Sequence, residues 1–118
     1  MDQKPIKIKL YEDAQGQSDL LKDMSTRDQA RFIKKNEDFE KLSFHQFLKS
    51  KLVDRIFNHN NFYELKYFFS EPPYRALAFI FKGELIILLV FKGSGSRGKL
   101  IRYLPRAINR ANDWGQRY

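Results

Sequence analysis

At 118 residues and without cysteine, the chain has the size of a single domain (1–118) and cannot form disulfides or thiolate metal sites. It is 42% hydrophobic, with eleven Phe, six Tyr and one Trp, enough for a core that needs no covalent staple. The formal charge of +8 lies mostly in the second half: residues 61–118 hold ten Lys and Arg against four acids, residues 1–60 twelve against ten. A basic half suits a polyanionic partner, most often nucleic acid, although solubility alone also explains it. The opening MDQKPIKIKL lacks the apolar stretch of a signal peptide, and ELIILLVF is far too short to span a bilayer. We therefore expect a cytoplasmic protein with no membrane partner.

In chain order, IKIKLYE alternates Ile6, Ile8 and Leu10 with Lys7, Lys9 and Tyr11, the pattern of a half-buried strand. DAQGQS breaks it, and DLLKDM has the composition of a short helical segment. Thr26 and Gln29 have capping-box spacing and open a charged helix to about Leu42, with Ala30, Ile33 and Phe39 facing inward. Ser43 and Gln46 repeat that spacing. Phe44, Phe47, Leu48, Leu52 and Ile56 then recur at helical intervals, so a third helix is expected up to NHNN.

Three strand-like runs follow, FYELKYFF, YRALAFIF and ELIILLVF, joined by SEPP and KG. KGSGSRGK reads as a flexible loop. Pro105 then suits the first turn of a last helix, whose apolar stripe is Leu104, Ala107, Ile108, Ala111 and Trp114. The expected fold is α+β: an antiparallel sheet made of an N-terminal strand and a three-strand meander, two or three helices after the first strand, and a C-terminal helix.

Register places the charges. If Lys82-Gly83 is a two-residue hairpin turn, Phe81 pairs with Glu84 and Arg75 faces Val90, with Lys92 one step along on the same side. If SEPP is a four-residue loop, Phe69 pairs with Tyr74 and Lys66 faces Leu77. Alternation then brings Glu64, Lys66, Arg75 and Lys92 out on one face, and Leu65, Ala76, Ala78, Ile80, Leu85, Ile87 and Leu89 on the other. Three cations on a largely apolar face repel one another unless an anion lies between them, and Glu64 neutralises only one. A phosphate would satisfy all three. Snorkelling of the three into water is the competing account.

Taken together, FYELKYFF…YRALAFIF-KGELIILLVF-KG…PRAINRANDW resembles the core of RelE/ParE-superfamily toxins, in the HigB-like (phage-derived) branch of type II toxin–antitoxin systems. The likeness covers roughly the C-terminal half. It implies a RelE-like domain with a ribosome-dependent mRNA endonuclease activity, in which the RNA 2′-OH attacks the adjacent phosphate without metal or other cofactor. Carried over by position, Lys66, Arg75 and Lys92 match the family's catalytic basic residues, which orient the phosphate and stabilise the pentacoordinate transition state. Lys66 or Lys92 would then also be the proton-transfer group. Two positions depart from the pattern: Gly93 stands where the family has a second Lys, and Lys66 where it has Arg, which removes the planar fork. The implied partners are mRNA on the ribosome and an antitoxin with a helix-turn-helix domain.

Arg97 and Lys99 are candidate RNA-binding residues that would supply the charge missing at Gly93. Arg102, Arg106 and Arg110, four apart, would line the outer face of the last helix, to track RNA backbone or receive acidic antitoxin residues, or simply to meet solvent. Tyr103 and Tyr118 are aromatic enough to stack on bases. Gly93, Gly95 and Gly98 fit G-x-G-x-x-G, but the parallel βαβ unit that motif needs has no room before Tyr118. His45 and His59 lack partners at ligand spacing, and we expect no metal site. Two other readings use the same scaffold: a ParE-type toxin that poisons gyrase, and an RNA-binding protein without catalysis.

Overall fold

A computed structural model of the chain describes residues 4–56, 58–93 and 97–118, with the main chain alone for 97–99. The order is β1 (Lys7–Leu10), α1 (Thr26–Glu40), α2 (Phe44–Leu48), β2 (Val53–Arg55), β3 (Phe62–Tyr67), β4 (Tyr74–Phe81), β5 (Glu84–Lys92) and α3 (Arg97–Arg117). The strands form one five-stranded sheet in the order β1-β5-β4-β3-β2. The α+β class is as expected, but the sheet is mixed: β1 runs parallel to β5, with Ile8 opposite Leu85 and Leu10 opposite Ile87. A parallel neighbour needs a long crossover, and the stretch from α1 to β4 supplies it.

The sheet is sandwiched. On one face Tyr67 lies against Phe32 (ring centroids 4.7 Å apart) and donates its hydroxyl to Asn36 Oδ1 at 2.7 Å, which seats α1. Leu65, Ala76, Ala78, Leu85 and Ile87 are buried on this side, and the two alanines leave room for the helix. On the other face Phe91 stacks on Tyr103 of α3 at 4.4 Å, and Phe81 lies against Gly115, where an added Cβ would stand 3.7 Å from its ring. Ala107, Ala111 and Trp114 of the expected stripe are buried.

Local signals hold in part. Ser43 and Gln46 make the capping box in both directions, at 3.1 and 2.9 Å. At α1 the cap is Ser25, one residue before Thr26, and accepts from the Asp28 N–H at 3.1 Å. The inward positions of α1 are Phe32, Asn36 and Phe39. Ile33 is 48% exposed and Ala30 is exposed, because Phe32 and Asn36 follow the ring of Tyr67. DLLKDM is turn, not helix. The third helix also ends early: α2 stops at Leu48, and Val53–Arg55 joins the sheet as an edge strand. Leu52 and Ile56 have helical spacing by coincidence. The last helix starts at Arg97, so Pro105 lies inside it instead of in its first turn. Proline has no N–H to give to the Ile101 carbonyl, so that turn lacks a bond.

Candidate functional site

Two turns decide where the charges go. Lys82 and Gly83 both have positive φ, 50° and 80°, as a type I′ turn requires, and Phe81 does pair with Glu84. The connection from β3 to β4 is six residues, not four, so Tyr67 pairs with Tyr74 and Lys66 lies directly across from Arg75. The change is even, so alternation is preserved, and Glu64, Lys66 and Arg75 share a face as expected.

Lys92 does not join them. Ala78 pairs with Ile87, but Leu77 pairs with Leu89, leaving Leu88 as an extra residue in a bulge. Everything beyond it changes sides: Arg75 faces Phe91, not Val90, and Lys92 faces Tyr74. The Arg75 guanidinium carbon lies 5.5 Å from the Phe91 ring centroid on the α3 side. Lys92 Nζ lies 5.3 Å from the Tyr74 ring on the α1 side, where the Tyr74 hydroxyl donates to Asp28 Oδ2 at 3.0 Å. Leu89 likewise leaves the face expected of it. The convergence of Lys66, Arg75 and Lys92 on one phosphate is therefore corrected: two meet and the third is across the sheet.

The two that meet are already paired. β2 brings Asp54 opposite Glu64, and ion pairs run along the diagonals, Lys66 to Asp54 and Arg75 to Glu64. Lys66 keeps 29% of its side chain exposed, whereas Arg75 keeps 9% and Glu64 6%. Burial pushes the Glu64 carboxyl above its ordinary pKa, and the charges of Arg75 and then Lys66 pull against that shift. Arg75 remains incompletely satisfied, since Nε and Nη1 are buried with no hydrogen-bond partner. Two donors without acceptors in a dry setting are costly, and an anion removes that cost only if the Arg75 side chain first moves outward, because Nε and Nη1 have almost no exposed surface. Among the described residues, Asp54 is the member of this cluster that sequence reading missed. Helical spacing up to NHNN places Asp54 on a helix, and the β-branched Val53 directly before it is too brief a signal to mark a strand.

The other candidates are dispersed. Arg110 faces inward: it donates to the Leu88 carbonyl at 2.7 Å and to Asp19 Oδ2 at 2.8 Å, with its guanidinium 4.9 Å from the Tyr11 ring. It therefore fastens the bulge and is not a surface contact for RNA. Arg106 donates to the same Asp19 oxygen at 2.7 Å but stays 57% exposed, and Arg102 is exposed. These arginines hold the Asp19 carboxyl below its usual pKa, Arg110 first. Tyr103 and Tyr118 stack within the protein, on Phe91 and Trp114. The side chains of Arg97 and Lys99 lie outside the described residues. Gly93 has φ 149° and donates to the Pro73 carbonyl at 2.8 Å, a backbone in which a lysine would be strained. Among the described residues no group of three His, Cys, Asp or Glu could hold a metal ion, and no helix is long and apolar enough to cross a membrane.

In comparisons with known proteins the chain matches no family model, no curated protein and no solved structure.

Proposed function

We propose that the chain is the toxin of a toxin–antitoxin pair of the RelE/ParE kind, and that it stops translation by binding RNA at the ribosome. The observation that carries this reading is the Lys66–Arg75 cross-strand pair with its two unsatisfied guanidinium donors. A phosphodiester fills both once the Arg75 side chain moves outward to meet it, and Lys66 adds a point charge. The sequence resemblance supplies the toxin context, and with it a helix-turn-helix antitoxin as partner.

Such a protein can block or cut. Blocking fits better with a cluster in which each cation already has a carboxylate and Lys92 is on the far face. Cutting, the mRNA endonuclease form of the reading, is favoured by one observation, the orphan donors of Arg75, which the extra charge of a pentacoordinate phosphate would satisfy better than a ground state does. Induced expression followed by mapping of transcript ends separates the outcomes. Translation arrest with intact transcripts supports blocking, and new 5′-hydroxyl ends that depend on Arg75 support cutting. DNA damage with translation unimpaired moves the protein to the gyrase-poisoning class. Growth unaffected by expression removes the toxin reading altogether.

A further inference from the structure

The square of Asp54, Glu64, Lys66 and Arg75 has a wet side and a dry side. Asp54 and Lys66 keep 53% and 29% of their side chains exposed, whereas Arg75 and Glu64 are buried. A phosphate therefore reaches Lys66 first. Lys66 and Arg75 are directly paired across β3 and β4, and Cβ atoms so paired lie about 5 Å apart. An Arg75 side chain turned outward thus reaches whatever Lys66 holds. Two contacts keep it inward: the ion pair of its Nη2 with Glu64, and the Phe91 ring beneath its guanidinium.

Turning outward breaks the ion pair and leaves its two partners unequal. Arg75 exchanges one anion for another. Glu64 stays buried with its partner gone, while Lys66 is engaged by Asp54 and by the arriving phosphate. A carboxylate in that position does not stay charged; it takes up a proton and becomes a neutral acid. Among the described residues, the charged groups that bear on Glu64 are Arg75 from β4, Lys66 on its own strand and Asp54 from β2. Burial already pushes the Glu64 carboxyl above its ordinary pKa, and the negative charge of Asp54 pushes the same way. Asp54, on the exposed edge strand, has water to replace any cation it loses.

We propose that Glu64 is a proton-operated latch on the RNA site: Arg75 passes to a phosphate as Glu64 takes a proton from solvent, so each RNA bound brings one proton with it. The inference rests on the RNA-binding reading above and adds the regulation of that site. A phosphodiester does not titrate near neutral pH, so the linkage belongs to the protein. Binding strengthens as pH falls, by as much as about tenfold per pH unit where uptake is complete. The window opens at the native pKa of Glu64 and closes at the higher one it has once Arg75 has left, which for carboxyls buried without a cation reaches ~8–9.

The test is binding of a fluorescent 12-nucleotide single-stranded RNA to the intact chain between pH 5.5 and 7.5 at fixed ionic strength. Calorimetry of the same reaction in two buffers of different ionisation heat counts the protons. The parent should bind at least about tenfold more tightly at the acid end and take up close to one proton per RNA in mid-range. Glu64→Gln keeps the shape but cannot change charge. It should bind at pH 7.5 about tenfold more tightly than the parent, with slope and proton uptake gone. Asp54→Asn frees Lys66 and should tighten binding at every pH alike, keeping the slope. His45 and His59 are present in all three proteins, so a slope of their making would survive in Glu64→Gln. Proton counting on the parent needs no variant, so it decides even where Glu64→Gln is destabilised. RNA bound by the parent without proton uptake, an equal slope in Glu64→Gln, or a slope lost in Asp54→Asn instead overturns the latch and leaves the RNA reading standing. No binding by the parent or by Glu64→Gln at any pH overturns both.

Discussion

The sheet and α1 present cations in opposite ways. On the sheet, Lys66 and Arg75 sit in a square with Asp54 and Glu64, largely removed from water on the Arg75 side, and the square is neutral. On α1 and its C-cap, Arg27 is exposed and Lys34 and Lys41 share Asp38 while staying mostly in solvent, with Arg31 and Lys35 half-buried beside them. The lesson is that net charge does not locate a binding surface. The half of the chain with the larger surplus spends much of it internally, on Glu64, Asp19, Asp113 and main-chain carbonyls. The nearly neutral half leaves its cations outward.

The contrast breaks most sharply at Arg75. Arg75→Met leaves Glu64 buried without its partner and should cost about 3–5 kcal/mol, while Glu64→Leu/Arg75→Met should recover most of it. Urea denaturation of the parent, single and double variants measures this; a mild single variant means the pair is not buried in the folded protein. Next in size is Arg110→Ala, which removes two charge-assisted bonds and the support of the bulge, expected to cost about 2–3 kcal/mol in the same assay.

A smaller effect concerns pH. Glu64 has a raised native pKa, so its contribution favours folding below the unfolded glutamate value and is lost as pH rises through the native one. Asp19 behaves oppositely: its native pKa is lowered, so its contribution is present above the unfolded value and is lost as pH falls through the native one. Glu64→Gln should remove the first slope and Asp19→Asn the second, read from denaturation midpoints between pH 3 and 7. The smallest expectation sharpens the sidedness. Lys92→Ala should leave growth arrest intact where Arg75→Lys diminishes it, since the lysine stands across the sheet from the square. Equal loss in both would return Lys92 to the site.

Much of the architecture was legible because its signals are local. Alternation in IKIKL, the Lys82-Gly83 turn and the Ser43/Gln46 box each act within a few residues, and each appears in the fold. The face shared by Lys66 and Arg75 was legible too, since an error of two in the loop length leaves parity alone. What escaped depended on long-range packing. A three-residue edge strand such as Val53–Arg55 exists only because β3 is there to pair with it, so Asp54 could not be placed. No residue in ELIILLVF marks Leu88 as the extra one; all are apolar and strand-forming. The bulge is held from outside, by an arginine 22 positions later.

That extra leucine has a consequence for how such a chain can change. Removing Leu88 would close the bulge and keep every pair beyond it, from Leu89 with Leu77 to Lys92 with Tyr74, so the lysine and the phenylalanine at the strand's end would keep their sides. Gathering the cations on one surface would instead take straight pairing of the whole strand, with Leu88 opposite Leu77 and Val90 opposite Arg75, which carries Lys92 to the Arg75 side. The same chain length allows both arrangements, and the contact that holds the bulge selects between them.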